Sequence, residues 1–133
     1  MRLLFIAQRV PFPPDRGDKI TTFNEIRHLS RQHDVSVACL TDGKGDSDNL
    51  VELGKLCKTV DAVPLHYAAA RCRALSCLAT GKPFTTGYFD EKELRQRVSE
   101  RVRQRRFDAI LVYSSGMAQY AEPYGNVPRI MQF

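Results

Sequence analysis

Five short apolar runs, separated by stretches with helical spacing, constrain this chain more than any other feature. They are "RLLFIAQ" at the N-terminus, "DVSVACL" (Asp34 to Leu40), "KTVDAVPL", "FDAILVYS" (Phe107 to Ser114) and "PRIMQF". The first is a continuous run rather than an alternation, the pattern of a strand buried on both faces. Between the runs, helices are expected over about Lys19 to Gln32, Leu50 to Cys57, Tyr67 to Ala79 and Glu91 to Arg106. Asp18 can cap the first, with Ile20, Phe23, Ile26 and Leu29 turned inward. "SGMAQYAE" starts a short helix after the fourth strand. Strand alternating with helix calls for an α/β domain, a Rossmann-like parallel sheet with helices on both faces.

The chain has 133 residues, enough for one domain with a real core. With 43% hydrophobic and 26% charged residues it is not disordered in composition. No apolar run approaches the ~18 residues of a membrane-spanning helix, and no secretory leader is legible. Cys39, Cys57, Cys72 and Cys77 form no C-x-x-C pair and read as buried free thiols. A cytoplasmic location is expected. The last run stops in mid-strand, so residues 1–133 are expected to be an incomplete N-terminal domain of something longer.

The net charge is +5. Much of the excess lies in "EKELRQRVSERVRQRR", where Leu94, Val98 and Val102 mark a buried stripe. Glu91–Arg95 and Glu93–Arg97 have the spacing of helical ion pairs. No aromatic residue interleaves with these arginines, which argues against a single-strand nucleic-acid surface. Attraction of this basic helix to an anionic membrane stays open.

In open parallel sheets, ligands bind beyond the carboxyl ends of the strands. The loop there after the first strand, within "RVPFPPDRGDKITTFNEI", admits two readings. Gly17 permits a left-handed backbone before the helix, and the amides of Asp18 to Thr21, with Arg16 and Lys19, could hold an anion. Alternatively Asp18 is a plain N-cap, Gly17 makes a turn, and Pro13–Pro14 stiffen the loop. No G-x-G-x-x-G or G-x-x-x-x-G-K-[ST] decides between them, and Asp15 and Asp18 place negative charge at the same spot. After the fourth strand, Ser114 and Ser115 offer hydroxyls to a sugar or phosphate, and Gly116 allows close approach. Ser115 could equally be a helix cap. Of the three histidines only His66 could reach this edge, and no acid is obviously placed to orient it, so a hydrolytic triad is not expected. Asp42, Asp46 and Asp48 lack the spacing of a calcium loop, and no metal is expected. Phe84, Tyr88 and Phe89 could shape a lid or edge the core.

Three segments, "RVPFPPDRGDKITTFNEIRHLS", "VPLHYAAARCRALSCLATGKPFTTGYF" and "FDAILVYSSGMAQY", together resemble the N-terminal half of bacterial family 4-like glycosyltransferases. The resemblance is to those associated with exosortase/PEP-CTERM and exopolysaccharide gene clusters. "PPDRGDK" and "SSGMAQY" are its more specific parts. It implies a GT-B enzyme, retaining and metal-independent, with a nucleotide sugar as substrate and no cofactor. This chain would be the acceptor-side domain, for a polysaccharide or lipid-linked acceptor, and inactive without the donor-binding domain. The resemblance places Gly17, with Arg16, Asp18 and Lys19, at the cleft, which favours the functional reading of the opening loop. Where many family 4 enzymes carry a His after the fourth strand, this chain has "YSSG". The competing expectation is a non-catalytic nucleotide- or phosphate-binding module.

Overall fold

A computed structural model describes residues 1–15, 17–41 and 46–132. Five strands, β1 (Arg2–Ala7), β2 (Asp34–Thr41), β3 (Thr59–Pro64), β4 (Ala109–Tyr113) and β5 (Arg129–Gln132), form one sheet in the order β3-β2-β1-β4-β5. Every pairing is parallel. Because β1 is central, Leu3 to Ala7 are all buried, which is why that run carries no alternation. Its side chains still alternate between faces. Leu4 and Ile6 join one core with Leu94, Val98 and Met117; Leu3, Phe5 and Ala7 join the other with Ile26 and Leu53. The expected Rossmann-like sheet with helices on both faces is what the chain forms. Strand order reverses between β1 and β4, so the loops leaving these two strands diverge at a topological switch point.

The helices are α1 (Gly17–Ser30), α2 (Asp46–Gly54), α3 (Tyr67–Thr80), α4 (Phe84–Tyr88) and α5 (Lys92–Gln104), with a 3-10 helix at Ser115–Tyr120. Helix α1 starts two residues before the expected Lys19, so Asp18 lies inside its first turn rather than capping it. Its fully buried residues are Thr22 and Ile26, Leu29 packs half-buried against the same core, and Ile20 is exposed. Thr22 tolerates burial because its hydroxyl donates to the Asp18 carbonyl at 2.9 Å. Helix α3 ends at Gly81, whose φ of 71° is the left-handed C-cap that glycine adopts without strain. Helix α4 falls where the sequence suggested only an aromatic cluster.

Helix α5 buries Leu94 and Val98 and half-buries Val102, as its spacing indicates. The Glu93–Arg97 pair forms at 3.1 Å. The expected Glu91–Arg95 pair does not: Glu91 precedes the helix and turns inward, and Arg95 pairs with Asp90 at 2.7 Å instead. Arg97 and Arg101 of α5 reach Asp61, a buried carboxylate on β3. Arg101 binds both its oxygens, at 2.7 and 3.3 Å, and Arg97 approaches to 3.7 Å. That hydrogen bond holds the Arg101 guanidinium above its ordinary pKa. Cys39, Cys57 and Cys77 are buried, and burial pushes the Cys57 thiol up to about 12. Cys72, expected inside, is exposed, because α3 turns that side outward.

Candidate functional site

A cleft of about 390 Å³ opens beyond the carboxyl ends of β1, β2 and β3. The chain leaving β1 contributes Gln8, Arg9, Val10 and Asp15, and the first turn of α1 contributes Lys19. Leu40 and Thr41 at the end of β2 and Leu65 just past β3 line its floor, and Tyr67, Tyr88 and Phe89 supply an aromatic wall. The Tyr88 and Phe89 rings meet edge to face at 4.9 Å. Phe84, the third member of the expected lid, does not line the cleft and is exposed.

The two cations of the cleft each face a carboxylate. Lys19 lies 3.8 Å from Asp15, and Arg9 lies 3.8 Å from Asp18. Both separations exceed a charge-assisted hydrogen bond of about 2.7–2.9 Å, so the pairs balance charge without locking the cations' donors to those acids. Gly17 is the first helical residue, and among the described glycines only Gly81 has positive φ; the left-handed turn expected at Gly17 is not made there. Arg16 lies outside the described residues, as do Asp42 and the side chain of Asp46.

Behind the aromatic wall sits a buried polar constellation centred on Glu91. Its Oε1 accepts from Arg73 Nη2 at 3.0 Å and from the His66 backbone amide at 3.1 Å. Its Oε2 lies 3.5 Å from His66 Nδ1. Arg73 also donates to the carbonyls of Gly87 (3.0 Å) and Tyr88 (3.3 Å), so one guanidinium ties α3 to the segment that forms the wall. The Tyr120 hydroxyl accepts the Glu91 amide at 2.8 Å and donates to the Phe89 carbonyl. Burial pushes the Tyr120 phenol up to about 12, which keeps it neutral and able to play both roles. A carboxylate this buried is stable only with such partners. They also fix Tyr88 and Phe89 in place.

Glu91 therefore supplies the acid that the sequence did not reveal beside His66. The two lie 25 residues apart and meet because the α3–α4 excursion returns to the end of β3. The His66 ring is mostly exposed, with Nδ1 turned towards the acid.

Ser114, Ser115 and Gly116 do not line the cleft. Ser114 takes the N-cap position expected of Ser115, through its backbone and with no side-chain cap bond. Its φ of 86° is a conformation that costs a non-glycine residue roughly 1–3 kcal/mol. Bonds from its amide to the Gln132 carbonyl (2.8 Å) and from the Met117 amide to its own carbonyl (3.1 Å) hold it there. Gly116 is buried, and a Cβ on it would lie 2.8 Å from the Phe89 ring. The space expected for a ligand beside this glycine is taken by Phe89, which rests on Gly116 while lining the cleft. Among the described residues expected to bind substrate, Lys19 alone lines the cleft directly, and Asp18 lies 3.8 Å from the cleft residue Arg9. Among the described residues no group of three or more His, Cys, Asp or Glu is arranged to hold a metal ion.

No family model matches the chain, and no curated protein matches it. Among solved structures it is similar to the C-terminal domain of a hydrogenase from Pyrococcus furiosus, at 16% identity and a TM-score of 0.58, covering 99% of this chain and 90% of that one. A second crystal structure of that domain matches at 13% identity and 0.51, covering 98% and 90%. At such identities the likeness concerns the fold alone.

Proposed function

We propose that this chain is the acceptor-side domain of a retaining, metal-independent glycosyltransferase of the GT-B type. The reading rests on the resemblance of its three segments to family 4-like transferases and on one structural observation. The cleft at the carboxyl edge joins an aromatic wall, Tyr67, Tyr88 and Phe89, to the polar set Gln8, Arg9 and Lys19. Aromatic faces suit the apolar faces of a sugar ring, amide and hydroxyl groups suit its hydroxyls, and the cations suit a phosphate. A saccharide phosphate, free or lipid-linked, is a ligand with all three features. In the assembled enzyme, basic side chains and backbone amides would stabilise leaving-group charge on the nucleotide-sugar donor.

The competing reading, a nucleotide- or phosphate-binding module without catalysis, draws on Arg9 and Lys19 beside the start of α1. Isothermal titration of the chain with a hexose 1-phosphate, a nucleoside diphosphate and inorganic phosphate separates the two. The acceptor-side reading predicts that the hexose phosphate binds tightest and that Tyr88→Ala weakens it about tenfold, a loss of about 1.4 kcal/mol. Tighter binding of the nucleoside diphosphate, indifferent to Tyr88, would establish the module instead.

A further inference from the structure

Helix α3 wears its large apolar side chains on the outside. Tyr67, Arg71, Leu75 and Leu78 recur at helical spacing along one face, and all four are exposed, Leu75 and Leu78 by 65% and 68%. The side towards the protein is held by Ala70 and Cys77, with Arg73 turned in to Glu91. The turn beyond α3 adds Lys82 and Phe84, both exposed. A soluble helix ordinarily shows the reverse distribution.

Charge selects the occupant. From His66 to Phe89 the sequence has no Asp or Glu, in a chain with 15 of them, while Arg71 and Lys82 are exposed. Leucines projecting beside lysine and arginine, with no carboxylate near by in sequence, match the apolar boundary and anionic headgroups of a membrane surface. A second copy would bring the same cations against each other. Tyr67 opens this stripe and also lines the cleft, so the surface runs up to the cleft mouth.

We infer that the exposed face of α3, with the turn after it, docks on an anionic lipid surface, and that α5, the obvious basic helix, does not. The inference is independent of what the cleft binds.

Co-sedimentation of the chain with pure phosphatidylglycerol vesicles and with pure phosphatidylcholine vesicles tests it. The chain is expected to pellet with the first and far less with the second. Leu75→Glu/Leu78→Glu is expected to reduce phosphatidylglycerol binding by about tenfold or more, and Arg71→Glu/Lys82→Glu by about tenfold. Arg103→Glu/Arg106→Glu on and after α5 is expected to change it by less than about twofold. Circular dichroism checks that each variant folds, and the two α3 variants act through different chemistry. Three outcomes overturn the inference: no preference for phosphatidylglycerol, loss of binding in the α5 variant with retention in both α3 variants, or a dimer in gel filtration that Leu75→Glu/Leu78→Glu dissolves.

Discussion

Helices α3 and α5 both carry leucines and arginines and use them in opposite ways. On α5 the apolar residues Leu94 and Val98 enter the core, and Arg95, Arg97 and Arg101 end on Asp90, Glu93 and Asp61. On α3 Leu75 and Leu78 face outward, and the inward-turned charged residue is Arg73, which bridges to Glu91. Each helix is therefore anchored by an arginine on a buried carboxylate, but the anchors do different jobs. Asp61 ties α5 to β3, while Glu91 also braces the wall of the cleft. A count of positive charge overstates what α5 offers a partner, because the fold answers several of its arginines.

The sharpest way to break this comparison is to remove the anchors. Glu91→Ala leaves Arg73 without its acid and is expected to cost about 3–4 kcal/mol in urea unfolding. Asp61→Ala strips Arg101 in the same way and is expected to cost about 3 kcal/mol. The two should part on ligand: with both proteins still folded, hexose 1-phosphate binding drops in the Glu91 variant and is unchanged in the Asp61 variant. Equal effects on binding would mean that Glu91 has no special tie to the cleft.

Truncating leucines compares the two helices directly. Leu94→Ala on α5 empties a fully buried site and is expected to cost about 3 kcal/mol. Leu78→Ala on α3 is expected to change stability by no more than about 0.5 kcal/mol. A large loss at Leu78 would show that the α3 face is covered within the chain itself.

The contact between α3 and α4 gives a middle-sized effect. A Cβ at Gly87 would sit 2.7 Å from the Arg73 carbonyl oxygen and 2.5 Å from the Cys77 sulfur. Gly87→Ala must push α4 off α3 and is expected to cost about 2 kcal/mol, read as a lower midpoint in urea. An unchanged midpoint would show that the two helices separate without penalty.

A further effect appears at alkaline pH. Tyr120 is raised to about 12 in the folded protein, from an ordinary 10. Between those values the unfolded chain loses the phenolic proton and the folded chain keeps it, so stability falls as pH rises from about 10 towards 12. Cys57 contributes in the same direction from about 9 upward. Tyr120→Phe is expected to flatten the upper part of that decline.

Much of the sheet was legible because buried parallel strands are written as contiguous apolar runs, and Leu3 to Ala7 is such a run. The register of α1 was less so. Thr22 faces the sheet and Thr21 faces solvent, yet both hydroxyls bond back to the helix, and nothing in their identity distinguishes them. Helix α3 misled for a different reason: an Ala/Leu/Cys-rich helix reads as buried, yet composition does not say which side meets the protein. Cys72 fell on the outer side and Cys77 on the inner one. The His66–Glu91 pair was invisible because its partners lie 25 residues apart and meet only through tertiary folding. At Gly116 the sequence suggested room for a ligand, whereas in the fold the Phe89 ring occupies the space beside it.

The measurement that bears most directly on the proposed function is amide and aromatic NMR mapping of the chain against a hexose 1-phosphate. The account predicts shifts at Arg9, Lys19, Tyr67, Tyr88 and Phe89, saturating together and abolished by Lys19→Ala. Absence of binding, or shifts confined to the end of β4 around Ser114 and Ser115, would contradict it.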